Sequence, residues 1–202
     1  MNEAALTPDR ILEAAEDVLR RFGPSKANVV DVARALGVSH GSVYRHFPSK
    51  AALRDAVTER WLERVSRPLE SIVAEDAPAP QRLYRWCKAL MKVKRAKALD
   101  DPELFATYMT LAADSREVVI SHVEKLISQV AAIIADGIER HEFSVDDPQA
   151  VAQAVLDATS RFHHPAFAAS WAEPGIDDAF EALWSLILPG LVGRRRLCAA
   201  SE

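Results

Sequence analysis

Residues 28–50 read Asn-Val-Val-Asp-Val-Ala-Arg-Ala-Leu-Gly-Val-Ser-His-Gly-Ser-Val-Tyr-Arg-His-Phe-Pro-Ser-Lys. Val29, Val32, Ala33 and Leu36 recur at helical spacing, which predicts a short helix from about Asn28 to Leu36 with those four residues inward. Gly37-Val38 makes a tight turn, since a residue without a β-carbon allows the backbone reversal. Ser39 is a capping side chain and opens a second helix of roughly seven residues. That helix stops at Phe47-Pro48, because the residue before a proline is pushed out of the helical region. Two short helices around a glycine turn form a helix-turn-helix. Ala33 lets the two helices approach closely, and Val38 and Val43 fill the crevice between them. Ser39, His40, Gly41, Ser42, Tyr44, Arg45 and His46 are left facing outward. Short hydrogen-bonding groups around a glycine suit a surface that fits close inside the major groove of DNA.

Helical signals continue on both sides. Upstream, Thr7-Pro8 is a start signal, Ile11, Leu12, Ala15, Val18, Leu19 and Phe22 follow at helical spacing, and Gly23-Pro24 ends the run. Downstream, Ser49 caps a longer helix carrying Leu53, Val57, Trp61, Leu62 and Val65, which Pro68 is expected to kink or end. A loop is expected at 74–80, then helices at about 80–98, 102–113, 115–140, 147–165 and 176–192. No alternating strand pattern is present, so the fold class is all-α with about nine helices.

Charge is unevenly placed. Arg20 to Arg54 holds seven basic residues and one acid, Asp31, a net +6, so the rest of the chain carries −10 to reach the overall −4. A basic end on an acidic body meets phosphate with one side only. No apolar run approaches the ~20 residues of a membrane span and no signal peptide is read, so a soluble, cytoplasmic protein with no membrane partner is expected. Cys87 and Cys198 stand in no metal or redox spacing and are expected as free thiols. There is no nucleophile elbow, phosphate loop or His-Glu-x-x-His, so neither an enzyme nor a cofactor is expected.

The stretch from Arg10 to about Trp61, a quarter of the chain, resembles the DNA-binding domain of the TetR/AcrR family of bacterial regulators. The resemblance rests on Ile-Leu-Glu-Ala-Ala in the first helix, on Asp-Val-Ala-Arg-Ala-Leu-Gly-Val-Ser, and above all on Val-Tyr-Arg-His-Phe-Pro-Ser-Lys-Ala-Ala-Leu. It implies a three-helix DNA-binding domain over 1–50 and a larger effector-binding and dimerisation domain over 51–202. It also implies that Ser39, His40, Gly41 and Ser42 face base edges and that Tyr44 and His46 hold phosphates. Lys50 would reach the DNA backbone from the positive end of the fourth helix. Ala27-Asn28 stands where the family often has Thr; Asn28 can cap the helix equally well, but its phosphate contact departs from the pattern.

The implied partners are a double-stranded DNA operator, an unidentified small-molecule effector and a second copy of the chain. Trp61, Trp86, Phe105, Tyr108, Met109 and Phe162 are the candidate lining of an effector pocket, with plain core as the alternative. Phe180, Leu183, Trp184, Ile187 and Leu191 form an apolar stripe that, with Val155 and Phe162, offers a dimer face; packing inside the chain's own domain is the other reading. The alternative to an effector-released repressor is a regulator with the same reading head, controlled by a protein partner or lacking an effector. Three features stay open. The basic run Arg82, Arg85, Lys88, Lys92, Lys94, Arg95 and Lys97 is either a solvated face or a surface for an anion. Cys87 inside it is a redox candidate if its neighbours lower its pKa. His163 and His164 are metal ligands or, more simply, helix-end histidines bonded to carbonyls.

Overall fold

A computed structural model describes residues 6–26 and 28–193; Cys198 and Ala27 lie outside the described residues. The described residues form nine α-helices and two short 3-10 turns, with no strand among them. The helices are α1 (Pro8–Lys26), α2 (Val29–Leu36), α3 (His40–Tyr44), α4 (Lys50–Val73), α5 (Ala79–Asp100), α6 (Pro102–Asp114), α7 (Arg116–Glu139), α8 (Pro148–Ala158) and α9 (Ile176–Val192). The regular part of α1 starts where Thr7 Oγ1 accepts from Arg10 N at 3.3 Å and ends at Gly23, whose φ of 72° breaks the helix. Pro68 does not end α4, which runs on to Val73 with Leu69 fully buried. Packing of that last stretch outweighs the one helical hydrogen bond that proline removes.

The chain divides into two compact units. The first is Met1–Arg64 together with Asp101–His122, so it takes in the start of α4 and all of α6 as well as the helix-turn-helix. The core of this unit is not confined to the first fifty residues, since α6 contributes buried residues to it. Tyr108 and Leu111 of α6 are buried with Ile11, Val32, Val43, Val57 and Trp61. The Trp61 indole stacks on the Tyr108 ring at 4.6 Å, with only 8° between the planes. Polar ties join α4 to its neighbours: Ser115 Oγ donates to Asp55 Oδ1 at 2.6 Å, and Arg64 donates to both Glu16 oxygens at 2.8 and 2.9 Å.

The second unit is Val65–Asp100 together with Val123–Glu202. Its core gathers Leu83, Trp86 and Leu90 of α5, Val130, Ile133 and Ile134 of α7, Val155 and Leu156 of α8, and Phe180 and Trp184 of α9. The Trp86 indole donates to Gln129 Oε1 at 2.9 Å, and Gln129 Nε2 donates to the Ser66 carbonyl at 3.1 Å. Gly137 is required by close approach: a β-carbon there would overlap the Phe143 ring and come within 2.7 Å of Ala79 Cβ. Contrary to the sequence reading, α7 is by length and composition apolar enough to cross a membrane. Its apolarity is that of a core helix, since Leu126, Ile127, Val130, Ile133 and Ile134 are buried in this unit.

One helix boundary in the second unit differs from expectation. The helix expected over 147–165 ends at Ala158 and gives way to 3-10 turns at Ser160–Phe162 and Pro165–Ser170. Thr159 leaves helical geometry (φ −89°, ψ 3°) and Pro165 holds His164 extended (φ −79°, ψ 128°), so the helix does not reach 165. The apolar stripe expected to face a second copy is mostly turned inward. Val155, Phe162, Phe180, Trp184 and Leu191 are all buried in the unit's own core, and only Leu183 and Ile187 stay half-buried. A helix with apolar residues on more than one side covers the core first.

Candidate nucleic-acid interface

The helix-turn-helix is built by local signals that agree. Asn28 sits in extended conformation and its Oδ1 accepts from Asp31 N at 3.0 Å, so it does cap α2. Gly37 takes the left-handed conformation (φ 66°, ψ 28°). Its N–H donates to the Arg34 carbonyl at 3.2 Å, and Val38 N donates to Ala33 at 3.0 Å. This pair of bonds closes the end of a helix where only a residue lacking a β-carbon sits without strain. Ser39 then caps α3 by accepting from Ser42 N at 3.2 Å. Inside the turn Val43 is fully buried, with Val32 and Ala33 beneath it, while Val38 and Phe47 pack at the edge.

What remains on α3 is an exposed polar face. Ser39, His40, Gly41, Tyr44, Arg45 and His46 are exposed, and so are Asn28 and Lys50 nearby. The His40 and Tyr44 rings meet edge to face at 6.4 Å. At Gly41 a β-carbon would meet nothing in the chain nearer than Ser39 Oγ at 3.7 Å, so the protein's own packing does not require glycine there. Ser42 is less available than its neighbours. It is half-buried, its Oγ lies 2.9 Å from Ser39 Oγ, and Arg45 Nη2 donates to it at 3.3 Å. Arg45, which the sequence reading placed outward but not among the candidate contacts, is exposed on the same face with its guanidinium held by Ser42.

The basic run of 20–54 is thinner in three dimensions than in sequence. Arg20 pairs with Asp17 at 3.2 Å, Arg34 with Asp31 at 2.8 Å and Arg54 with Asp114 at 3.4 Å. Arg45 and Lys50, by contrast, make no ion pair among the described residues. Lys50 stands at the start of α4, where the helix dipole adds to its charge, and Ser49 caps that end by accepting from Ala52 N at 3.0 Å.

Residues 11–57 match the family described as bacterial regulatory proteins of the tetR family, and residues 79–184 match the tetracyclin repressor-like C-terminal domain. The chain belongs to the TetR family. It is therefore a transcriptional regulator, and not an enzyme. One relative is the HTH-type transcriptional repressor Rv1474c of Mycobacterium tuberculosis, 28% identical over 169 residues that span 73% of this chain and 88% of the relative. Among solved structures, a protein of unknown function from Rhodococcus sp. RHA1 has the same fold, with a TM-score of 0.71 at 21% identity over 95% of this chain and 98% of that one. So does the regulator FadR of Bacillus subtilis, solved with stearoyl-CoA, with a TM-score of 0.61 at 15% identity over 92% and 100%.

The candidate effector residues of this TetR-family chain fall into separate units. Trp61, Phe105, Tyr108 and Met109 belong to the first, Trp86 and Phe162 to the second. Burial, with help from Glu16, pushes the Tyr108 hydroxyl up to about 12, as befits a core residue. A cavity of about 300 Å³ within the first unit is lined instead by Ala15, Leu19, Val32, Leu53 and Val57 among others.

The three open features resolve as follows. On α5, Arg82 is buried and bonds Asp136, while Arg85 bonds Glu75, Lys88 bonds Glu181 at 3.2 Å and Arg95 bonds Asp177 at 3.2 Å nearer the surface, so much of the run is ion-paired within the unit. Burial pushes the Cys87 thiol up to about 12, the opposite of what a redox switch needs. His163 Nε2 sits 3.2 Å from both the Leu156 carbonyl and Thr159 Oγ1, while His164 Nδ1 accepts from Ala166 N at 3.2 Å.

Proposed function

We propose that the chain acts as a homodimeric repressor that holds a palindromic operator and releases it when a small molecule occupies its second unit. The observation that carries this reading is the exposed polar face of α3 on a fully buried valine anchor. In this reading His40 and Gly41 meet base edges, with the Ser39 and Ser42 hydroxyls beside them. Tyr44, His46, Asn28 and Lys50 hold phosphates, and Arg45 contributes a charge that Ser42 orients. Its place of action is then the bacterial cytoplasm. Half-sites one helical turn apart require two heads, hence a dimer. Leu183, Ile187 and Leu188, half-buried, and Leu186, 75% exposed, are among the apolar residues of α9 still able to meet a second copy. An effector site is supported by the stearoyl-CoA in the structure of FadR, a protein of the same fold.

Selection of genomic fragments bound by the purified protein tests the reading. A near-palindrome with half-sites about one helical turn apart is expected. Enrichment of a single unpaired site, or of none, overturns the dimeric-operator reading. Leu186→Arg combined with Ile187→Arg is expected to give monomers with little operator affinity. A double variant still fully dimeric by light scattering removes α9 from the interface.

A further inference from the structure

The cavity of the first unit has a floor and a rim of different chemistry. Ala15 and Leu19 of α1, Val32 of α2, Leu53 and Val57 of α4 and Leu111 of α6 make the floor, none of them more than 6% exposed. Asn28, Lys50, Thr110 and Asp114 stand at the edge and are exposed, so the cavity opens to solvent. Its volume is about 300 Å³. A protein interior leaves few voids larger than a water molecule, and an apolar one of ~150 Å³ already takes up benzene. The space here therefore suits an apolar body of about two rings. Such a body restores the dispersion contacts that unfilled apolar walls forfeit.

Charge at the rim indicates what that body carries. Arg54 is already engaged: its guanidinium donates to the Asp114 carbonyl at 3.2 Å and carboxylate at 3.4 Å, and Asp55 lies 3.5 Å from its Nε. Thr110 Oγ1 donates to the Ala106 carbonyl at 3.1 Å. Lys50 lines the cavity too and makes no ion pair among the described residues, so the charge left for a ligand to match is positive. The mouth lies where the starts of α2 and α4 meet the end of α6, and it holds two of the residues placed above on operator phosphates, Asn28 and Lys50.

We propose that this cavity binds a small organic carboxylate with an apolar body of about two rings, its charge on Lys50, and that the bound molecule weakens operator binding from within the DNA-binding unit itself. This input is separate from occupancy of the second unit. The coupling to DNA rests on the phosphate contacts proposed above; the site itself does not.

Calorimetric titration of the full chain with 2-naphthoate, set against 2-naphthalenemethanol, tests the site. The carboxylate is expected to bind about fivefold tighter than the alcohol, the worth of one charge pair near the surface. In Lys50→Gln the two should bind nearly alike. Thr110→Trp fills the mouth from the exposed side of α6, so it should hold operator like the parent yet bind neither compound. Ala15→Leu fills the floor instead and covers the case in which the tryptophan variant does not fold. Saturating 2-naphthoate should weaken operator binding about fivefold and lower its salt dependence by about one unit, with no further drop in Lys50→Gln. The site is overturned if the carboxylate does not bind, if it is not preferred over the alcohol, or if binding survives in every filling variant that folds. A carboxylate that binds in the cavity yet leaves operator affinity unchanged upholds the site and overturns the placement of Asn28 and Lys50 on phosphates instead.

Discussion

Seven cations lie between Arg20 and Arg54, and seven more lie between Arg82 and Lys97. In sequence the two sets look alike. In the first, three are matched by acids of the same unit, and Arg45 and Lys50 are left exposed beside α3. In the second, acids from α7, α9 and the loop before α5 reach four of the seven. What a charge does is thus set by which acids the fold brings to it, and only charges left in solvent next to a shaped surface are available to DNA.

The largest expected effect lies in the second unit. Arg82 is buried and holds Asp136 and the Val73 carbonyl, and Arg140 shares Asp136 at 3.1 Å. Asp136→Ala leaves a buried guanidinium unmatched and should cost about 3 kcal/mol in urea unfolding. A loss below about 1 kcal/mol would mean that Arg82 finds water or another acid, and the contrast between the two sets would blur.

Next is the α3 face. Gly41→Ala meets no clash in the chain and should leave the melting temperature unchanged or slightly raised, since alanine is the better helix former. Operator affinity should nevertheless fall by about 2 kcal/mol if this face lies against bases. Unchanged affinity in a gel-shift titration would move base reading elsewhere on the unit.

The His163 ring gives a pH signature to the second unit. Its pKa is lowered to about 4 in the folded chain, against 6.5 when unfolded. As pH drops from 6.5 towards 4, the unfolded chain takes up the proton first, so stability is expected to fall by on the order of 3 kcal/mol across that window. Chemical denaturation of His163→Gln should lack this slope; an identical slope would assign the acid sensitivity to other groups. The smallest effect is expected at Lys50. Lys50→Gln should weaken all operator sequences alike, by about 1 kcal/mol, and lower the salt dependence of binding by about one unit without altering stability. A stability loss there would place Lys50 with the structural cations of α5 instead.

How far the chain could be read depended on the distance over which each signal acts. The cap at Asn28, the turn at Gly37 and the cap at Ser39 each involve residues three to five positions apart, and all three stand where expected, whereas α3 ends at Tyr44, short of the expected stop at Phe47-Pro48. The ends of α9 agree with the expected 176–192 for the same reason. The end of α8 was missed although Pro165 was in view, because the helix stops earlier, at Thr159, where the backbone leaves helical geometry without a proline or glycine to mark it. Ser42 was read as a ready base contact, but its hydroxyl is shared with Ser39 and Arg45.

The order of amino acids by itself determined that the chain is helical, where the helix-turn-helix lies and which family it resembles, because caps, turns and apolar spacing act over one or two helical turns. Only the tertiary structure decided that α6 joins the DNA-binding unit, that the α9 stripe is core rather than exposed face, and that Arg82 is neutralised while Lys50 is not. Arg82 and Asp136 are 54 residues apart, and Lys88 and Glu181 are 93 apart. Partnerships at that separation follow from how helices pack, to which no local pattern is sensitive.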